Sequence, residues 1–173
     1  KITVNTSKVL AVVASDTIPI PSPNAVPLSG TTTATTTDKL VDVGADFSNV
    51  IVGDIVYNTT DNTVATVTEV ETSTILVLSA DIFTSPEDYI VFQAGPIFEQ
   101  RIESSSGCLL YVGSNEATMD VAKSYVDVKV KTVNGEDIVF SNFPVGEYLP
   151  VQVTNLFVTG TDAAARFNSV AIW

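Results

Sequence analysis

More than a third of this chain branches at Cβ: valine (27), threonine (22) and isoleucine (12) fill 61 of its 173 positions. Such side chains lose χ1 freedom in a helix and pack well on a pleated surface, so the bias selects strands. An all-β fold is expected. The length allows one large core or two small ones.

The pattern along the chain divides into two styles. From residue 38 to 92, short apolar runs (KLVDV, NVIVGDIVYN, TVATVTEV, STILVLS, DYIVF) alternate with turn formers such as Thr60-Asp61-Asn62 and Glu71-Thr72-Ser73. Five short strands in so few residues predict a small barrel. Gly53-Asp54 before IVYN resembles the opening of SH3-like barrels, where a glycine permits a sharp approach and a hairpin follows. Residues 31–93 hold ten carboxylates and one lysine, a net of −9 out of the chain's −12, which marks them as a separate module.

The flanking residues read differently. In SYVDVKVKTV, Val126, Val128 and Val130 alternate with Asp127, Lys129 and Lys131, the period of a half-buried strand. Asn134-Gly135 then leads into DIVF, a hairpin signal whose type I′ turn needs positive φ at both central residues. EYLPVQVTNLFVTG places Leu149, Val151 and Val153 on one face, with Pro150 restricting the run to a sheet edge or a strand start. SVAIW forms the final strand, KITVNTSKVLAVVA one strand or two, and EATMDVAK (116–123) the one helical stretch. Residues 15–30 carry Pro19, Pro21, Pro23 and Pro27 and read as an extended arm, either a linker or a strap laid on a neighbouring subunit. The threonine-rich stretch 31–37 suits an exposed strand or a spacer.

Composition narrows the chemistry. Twenty acids against eight bases repel phosphate backbones and anionic lipid headgroups, so neither nucleic acid nor a membrane is an expected partner. No apolar run reaches the ~20 residues of a membrane span, and no Sec-type leader is evident. Histidine is absent, which removes the usual base for an activated Ser, Thr or Cys, and the single Cys108 reads as a small buried hydrophobe. Glu69 and Glu71 share a strand face, and a glycosidase needs only two placed carboxylates, but nothing singles out a pair. Asp38, Asp42 and Asp46 match no calcium loop. Asn5-Thr6-Ser7 and Asn58-Thr59-Thr60 fit the glycosylation sequon, which has no meaning without a secretory signal. The expectation is no enzyme, no cofactor and no metal.

With the middle module set aside, the flanks form a recognisable order. It consists of Ser15-Asp16-Thr17 before the prolines, Leu110-Tyr111-Val112-Gly113, the Asn134-Gly135 hairpin, Phe143-Pro144-Val145-Gly146, Leu149-Pro150-Val151-Gln152-Val153, Thr159-Gly160-Thr161, and a final Ala171-Ile172-Trp173. That order resembles a small β-domain of tailed phages and gene transfer agents, found in head-spike base proteins and capsid decoration proteins. In that family the proline segment runs almost directly into the Tyr-Val-Gly strand, whereas here about sixty residues intervene. The resemblance therefore implies a discontinuous β-sandwich (1–30 and 94–173) with an inserted acidic SH3-like barrel (31–93).

It further implies a non-enzymatic virion protein, made in the host cytoplasm and placed on the capsid exterior as a decoration (cement) or head-spike base subunit. Its partners would be the major capsid protein, further copies of itself in a trimer, or a pentamer at a five-fold vertex, and a spike or fibre protein. The interface candidates are Thr17, Ile18, Pro19, Ile20 and Pro21 of the arm, with Phe157, Phe167 and Trp173 as aromatic anchors or, alternatively, as intrachain core. A tail or fibre-associated subunit is the second reading. A carbohydrate-binding adhesion module is the third, which exposed aromatics in a cleft would favour.

Overall fold

A computed structural model of the chain describes residues 8–84, 86–93, 107–114 and 124–173. The fold is all-β: half of the described residues are in strands and 3 % in helix, arranged as two antiparallel sheets, one of which curls into a partial barrel. The chain divides into two compact units, Lys1–Pro23 with Ser104–Trp173, and Asn24–Glu103.

The first unit contains β1 (Val9–Ala11), β9 (Cys108–Tyr111), β10 (Tyr125–Thr132), β11 (Asp137–Pro144), β12 (Tyr148–Leu156) and β13 (Val170–Ile172). They form one sheet in the order β1-β13-β9-β12-β10-β11. Alternation does the sorting: Val126, Val128 and Val130 are buried and join Leu110, Leu149 and Val153 in a single core, while the intervening Asp127, Lys129 and Lys131 stay half-exposed. The 126–130 reading of the sequence holds residue for residue.

The expected hairpin forms between β10 and β11, but with a different turn. Gly135 N–H donates to Thr132 C=O at 2.9 Å and only Gly135 takes positive φ (86°), whereas Asn134 does not. The connection is therefore a four-residue loop whose glycine occupies the left-handed position, not type I′. Of the two places expected for Pro150, a sheet edge or a strand start, the first is excluded, since its strand lies inside the sheet between β9 and β10, and the second fits, since Pro150 is the third residue of β12. The ring is tolerated because the ladder to β9 is interrupted between Tyr148 and Gln152, and β10 pairs only from Val153 onward.

The one helix among the described residues, α1 (Ala163–Arg166), was not expected; it follows Asp162 and buries Ala165. The stretch 116–123, expected to be helical, lies outside the described residues, as do residues 1–7 of the first strand candidate.

The second unit contains β2 (Val26–Thr31), β3 (Ala34–Thr36), β4 (Lys39–Val41), β5 (Ile55–Asn58), β6 (Thr63–Thr72), β7 (Ile75–Leu78) and β8 (Asp88–Gln93), in the order β2-β8-β5-β6-β7-β4-β3. Residues 24–30, placed with the flanks on sequence grounds, fall in this unit because Val26–Thr31 pair along β8. Strand β6 bends: Thr63–Thr66 pair with β5, and Val67–Thr72 pair with β7 across two register shifts. The two edge strands, β2 and β3, are separated only by Thr32 and Thr33, so one extended segment supplies both edges and draws the sheet round a core of Leu40, Phe47, Val56, Leu76, Tyr89 and Val91.

The run NVIVGDIVYN yields a strand only from Ile55. Before it, the buried Asp54 carboxylate accepts the Ile51 N–H at 2.9 Å and Gly53 turns to φ 92°, which converts 50–54 into a turn.

Candidate functional site

The proline arm is fastened to its own unit. Ser15 N–H donates to Leu156 C=O (2.9 Å) and Ile20 N–H to Thr154 C=O (2.8 Å), while the Ser15 hydroxyl oxygen accepts the Ile18 N–H at 3.0 Å. Asp16 bridges to a residue 143 positions away: its Oδ1 accepts the Thr159 N–H (2.9 Å) and its Oδ2 the Thr159 hydroxyl (2.8 Å). Those two bonds, the backbone one first, hold the Asp16 carboxyl below the usual carboxylate range.

Asp16→Asn is expected to cost no more than about 1 kcal/mol, since the site is exposed. The contribution of a carboxylate with a lowered pKa is present above its ordinary value and lost as the pH falls through its folded value. Denaturant midpoints of wild type and variant should therefore differ at neutral pH and converge in acid.

Of the expected interface residues, Thr17 is exposed, Ile18 and Pro19 are half-buried, and Ile20 and Pro21 are buried. Ile20, Pro21 and Trp173 come together with Cys108 and Val153 around a shallow recess without room for a water molecule. Trp173 packs on the core of the first unit, its N–H bonded to Lys8 C=O at 3.1 Å. Phe157 is 6 % exposed and is roofed by two ammonium groups, Lys129 Nζ 4.7 Å and Lys131 Nζ 5.9 Å from its ring centre. Phe167 is half-exposed.

Register reveals a surface that sequence reading missed. Val9, Ile172 and Leu109 align in one row across β1, β13 and β9, and Val170, Tyr111 and Tyr148 align in the next across β13, β9 and β12. Residues paired across strands point to the same side, so both rows lie opposite Leu10, Ala171 and Leu110, which face the core. Val9 is 67 % and Tyr148 53 % exposed, the rest half-buried, and none is charged. Val9 and Tyr148 are the signal that sequence could have offered, since each breaks the rule that large apolar residues turn inward.

In the second unit the aromatics Phe47, Tyr57, Phe83, Tyr89 and Phe92 are all buried, so its described residues offer no stacking platform for a sugar ring. Two buried polar clusters take its place. Tyr89 Oη donates to Asp42 Oδ2 at 2.8 Å, and the Asp42 Oδ1 accepts the Gly44 N–H at 2.8 Å; burial, then the Asp42 bond, pushes the tyrosine pKa up. Asn58 and Glu87 form the other. Asp46 Oδ1 accepts the Ser48 N–H (3.1 Å) within its own loop, and Asp38 sits in a left-handed turn, so Asp38, Asp42 and Asp46 do not converge on one point.

Glu69 and Glu71 are exposed, the latter paired with Lys39. Cys108 is buried with its thiol pushed up to about 12 by desolvation. Among the described residues no group of three or more acids, thiols or imidazoles is placed to hold a metal, and no helix is long and apolar enough to cross a membrane. Comparison with protein-family models, curated proteins and solved structures returns no match.

Proposed function

We propose that this chain is a non-enzymatic structural subunit of a tailed-phage virion, a decoration or head-spike base protein on the capsid exterior. The observation that carries the reading is the pair of uncharged apolar rows on β1, β13, β9 and β12 of the first unit, on a chain whose formal charge is −12. Copies of so acidic a protein repel one another, so assembly favours a surface free of charge. Strand β13, which the phage resemblance includes, contributes Ile172 to one row and Val170 to the other.

The resemblance is supported by how its motifs meet. Asp16 binds Thr159; Gly146 N–H donates to Val112 C=O at 2.8 Å and Val112 N–H to Glu147 C=O at 3.0 Å; Gly113 passes against Asn168. Segments scattered along the chain are thus the fastening points of a single unit. The charge of the acidic second unit would keep particles apart.

Cryo-electron microscopy of the phage particle tests this. Density for this all-β subunit at symmetric positions on the capsid surface, with the apolar rows against the shell or another copy, is the expected result. Density confined to the tail would replace the reading with a tail-subunit role.

A further inference from the structure

Two strands bound the sheet of the first unit among the described residues, and their free sides differ. At one edge, β11 is irregular. Its ladder to β10 shifts register between Val126 and Val128, Asn142 turns to φ 52° with its N–H on Asp127 Oδ1 at 2.9 Å, and Pro144 brings no N–H. A bulge, a proline and the exposed Asp137 at its start are features by which an edge strand turns another strand away.

At the other edge, β1 has none of these. It pairs with β13 in unbroken register, Val9 to Ile172, Leu10 to Ala171 and Ala11 to Val170. Trp173 N–H donates to Lys8 C=O at 3.1 Å and Val12 N–H to Ser169 C=O at 3.0 Å. An antiparallel strand bonds one neighbour through every second residue. Residues 8, 10 and 12 therefore direct their backbone groups to β13, and the N–H and C=O of Val9 and Ala11 point away from it. The described residues give those four groups no partner. Both side chains stand exposed in line with the uncharged rows, Val9 beside Ile172 and Leu109, Ala11 beside Val170, Tyr111 and Tyr148. The Lys8 ammonium is turned elsewhere, to Pro23 C=O of the arm.

We propose that β1 is a dimerisation edge: a second copy of this chain adds its own β1 antiparallel about a twofold axis at Leu10, joining two six-stranded sheets into one. The axis sets Val9 opposite the partner's Ala11 and Ala11 opposite the partner's Val9, the residues whose backbone groups are free. Four N–H to C=O bonds form, and no group of either residue is left over. The rows run on across the joint. Leu109, Ile172 and Val9 of one copy continue into Ala11, Val170, Tyr111 and Tyr148 of the other, so no charge meets a like charge on a chain of net −12. A twofold contact uses the same patch on both copies, and this strand is complementary to itself. The contact is between copies of the chain and does not rest on the virion reading. A strand of three residues offers less surface than the roughly 800 Å² per partner of a standard stable interface, so the dissociation constant is expected to be on the order of 0.1–1 mM.

The test is sedimentation velocity of the full chain from about 10 μM to about 1 mM, with amide hydrogen exchange followed by NMR at both ends of that range. The expected result is a sedimentation coefficient that climbs with concentration. The Val9 and Ala11 amides exchange freely in dilute solution and slow several-fold in concentrated solution, while those of β11 do not change. Two variants separate this contact from non-specific association. Val9→Lys makes the chain less negative, which favours association through net charge, yet it sets a cation in the row. Ala11→Pro removes one outward N–H and leaves the bonds to β13 in place. Each is expected to weaken the dimer about tenfold or more, with a thermal midpoint within a few degrees of wild type. Should Ala11→Pro unfold, Val9→Lys, at a site 67 % exposed, decides alone. A chain that stays monomeric up to about 1 mM, Val9 and Ala11 amides indifferent to concentration, or a dimer equally strong in Val9→Lys would overturn the proposal.

Discussion

Gly113→Ala is expected to destabilise the first unit by about 3 kcal/mol, the upper end of what overpacking costs. A Cβ built on Gly113 lands 2.1 Å from the carbonyl oxygen of Asn168 and 3.0 Å from its carbon. The obstacle is backbone, with no rotamer to retreat to, and it sits where the chain leaving β9 passes the approach to β13. Either partner can move only by dragging a strand: Val112 is held by Glu147, and Ser169 by the Val12 N–H at 3.0 Å. Guanidinium unfolding of wild type and variant measures the loss. A change below about 0.5 kcal/mol, the range of ordinary surface substitutions, would mean the crossing is looser than the geometry states.

Gly30→Ala is expected to cost the second unit about 2 kcal/mol for a different reason. There the new methyl meets side chains: Tyr89 Oη at 2.6 Å, Asp42 Oδ2 at 2.7 Å and the Tyr89 ring carbon at 2.9 Å. The methyl therefore drives into the buried hydrogen bond between tyrosine and carboxylate. Tyr89 is 1 % exposed and its ring sits 6.1 Å from Phe47 in an edge-on contact, so it cannot swing aside. Losing the bond leaves a buried carboxylate oxygen short of a donor, which costs more than the bond itself contributes. The readout is the unfolding midpoint together with tyrosine absorbance in alkali: a Tyr89 freed from Asp42 ionises at lower pH than in wild type. A variant with an unchanged midpoint and unchanged titration would show that β2 shifts to make room.

What sequence made legible follows from distance along the chain. The Val126-Val128-Val130 alternation and the hairpin after it depend on neighbours a few residues apart, and both are present in the structure. The turn type was misjudged because a longer loop also satisfies a glycine in the left-handed region; Asn-Gly marks the place of a turn more firmly than its geometry. For Pro150 the sequence leaves an edge and a strand start open, because both suit a ring that lacks N–H, and only the pairing of β12 with β9 decides between them.

The site was less legible than the fold. Among the eight expected interface residues, Ile20 is flanked by prolines that suggest an exposed arm; its N–H bonds Thr154 C=O and its side chain packs on the core, contacts that nothing local announces. Nor does anything local announce a bond from Asp16 to Thr159 or from Thr32 to Glu87. The uncharged face formed by Val9, Tyr111 and Tyr148 exists only once three strands distant in sequence are laid side by side.

The pairing of β1 with β13 also sets an order of events during synthesis. Val9 waits for Ile172, its partner across the ladder, and at ribosomal rates of about 5–20 residues per second that wait is on the order of 10 s. The second unit, a continuous stretch from Asn24 to Glu103, meets no such delay. Its strands emerge together and can close while the first unit still lacks β9 to β13, so the nascent chain carries one finished unit before the strands of the other can pair. The apolar rows across β1, β13 and β9 therefore stay incomplete until β13 has been made.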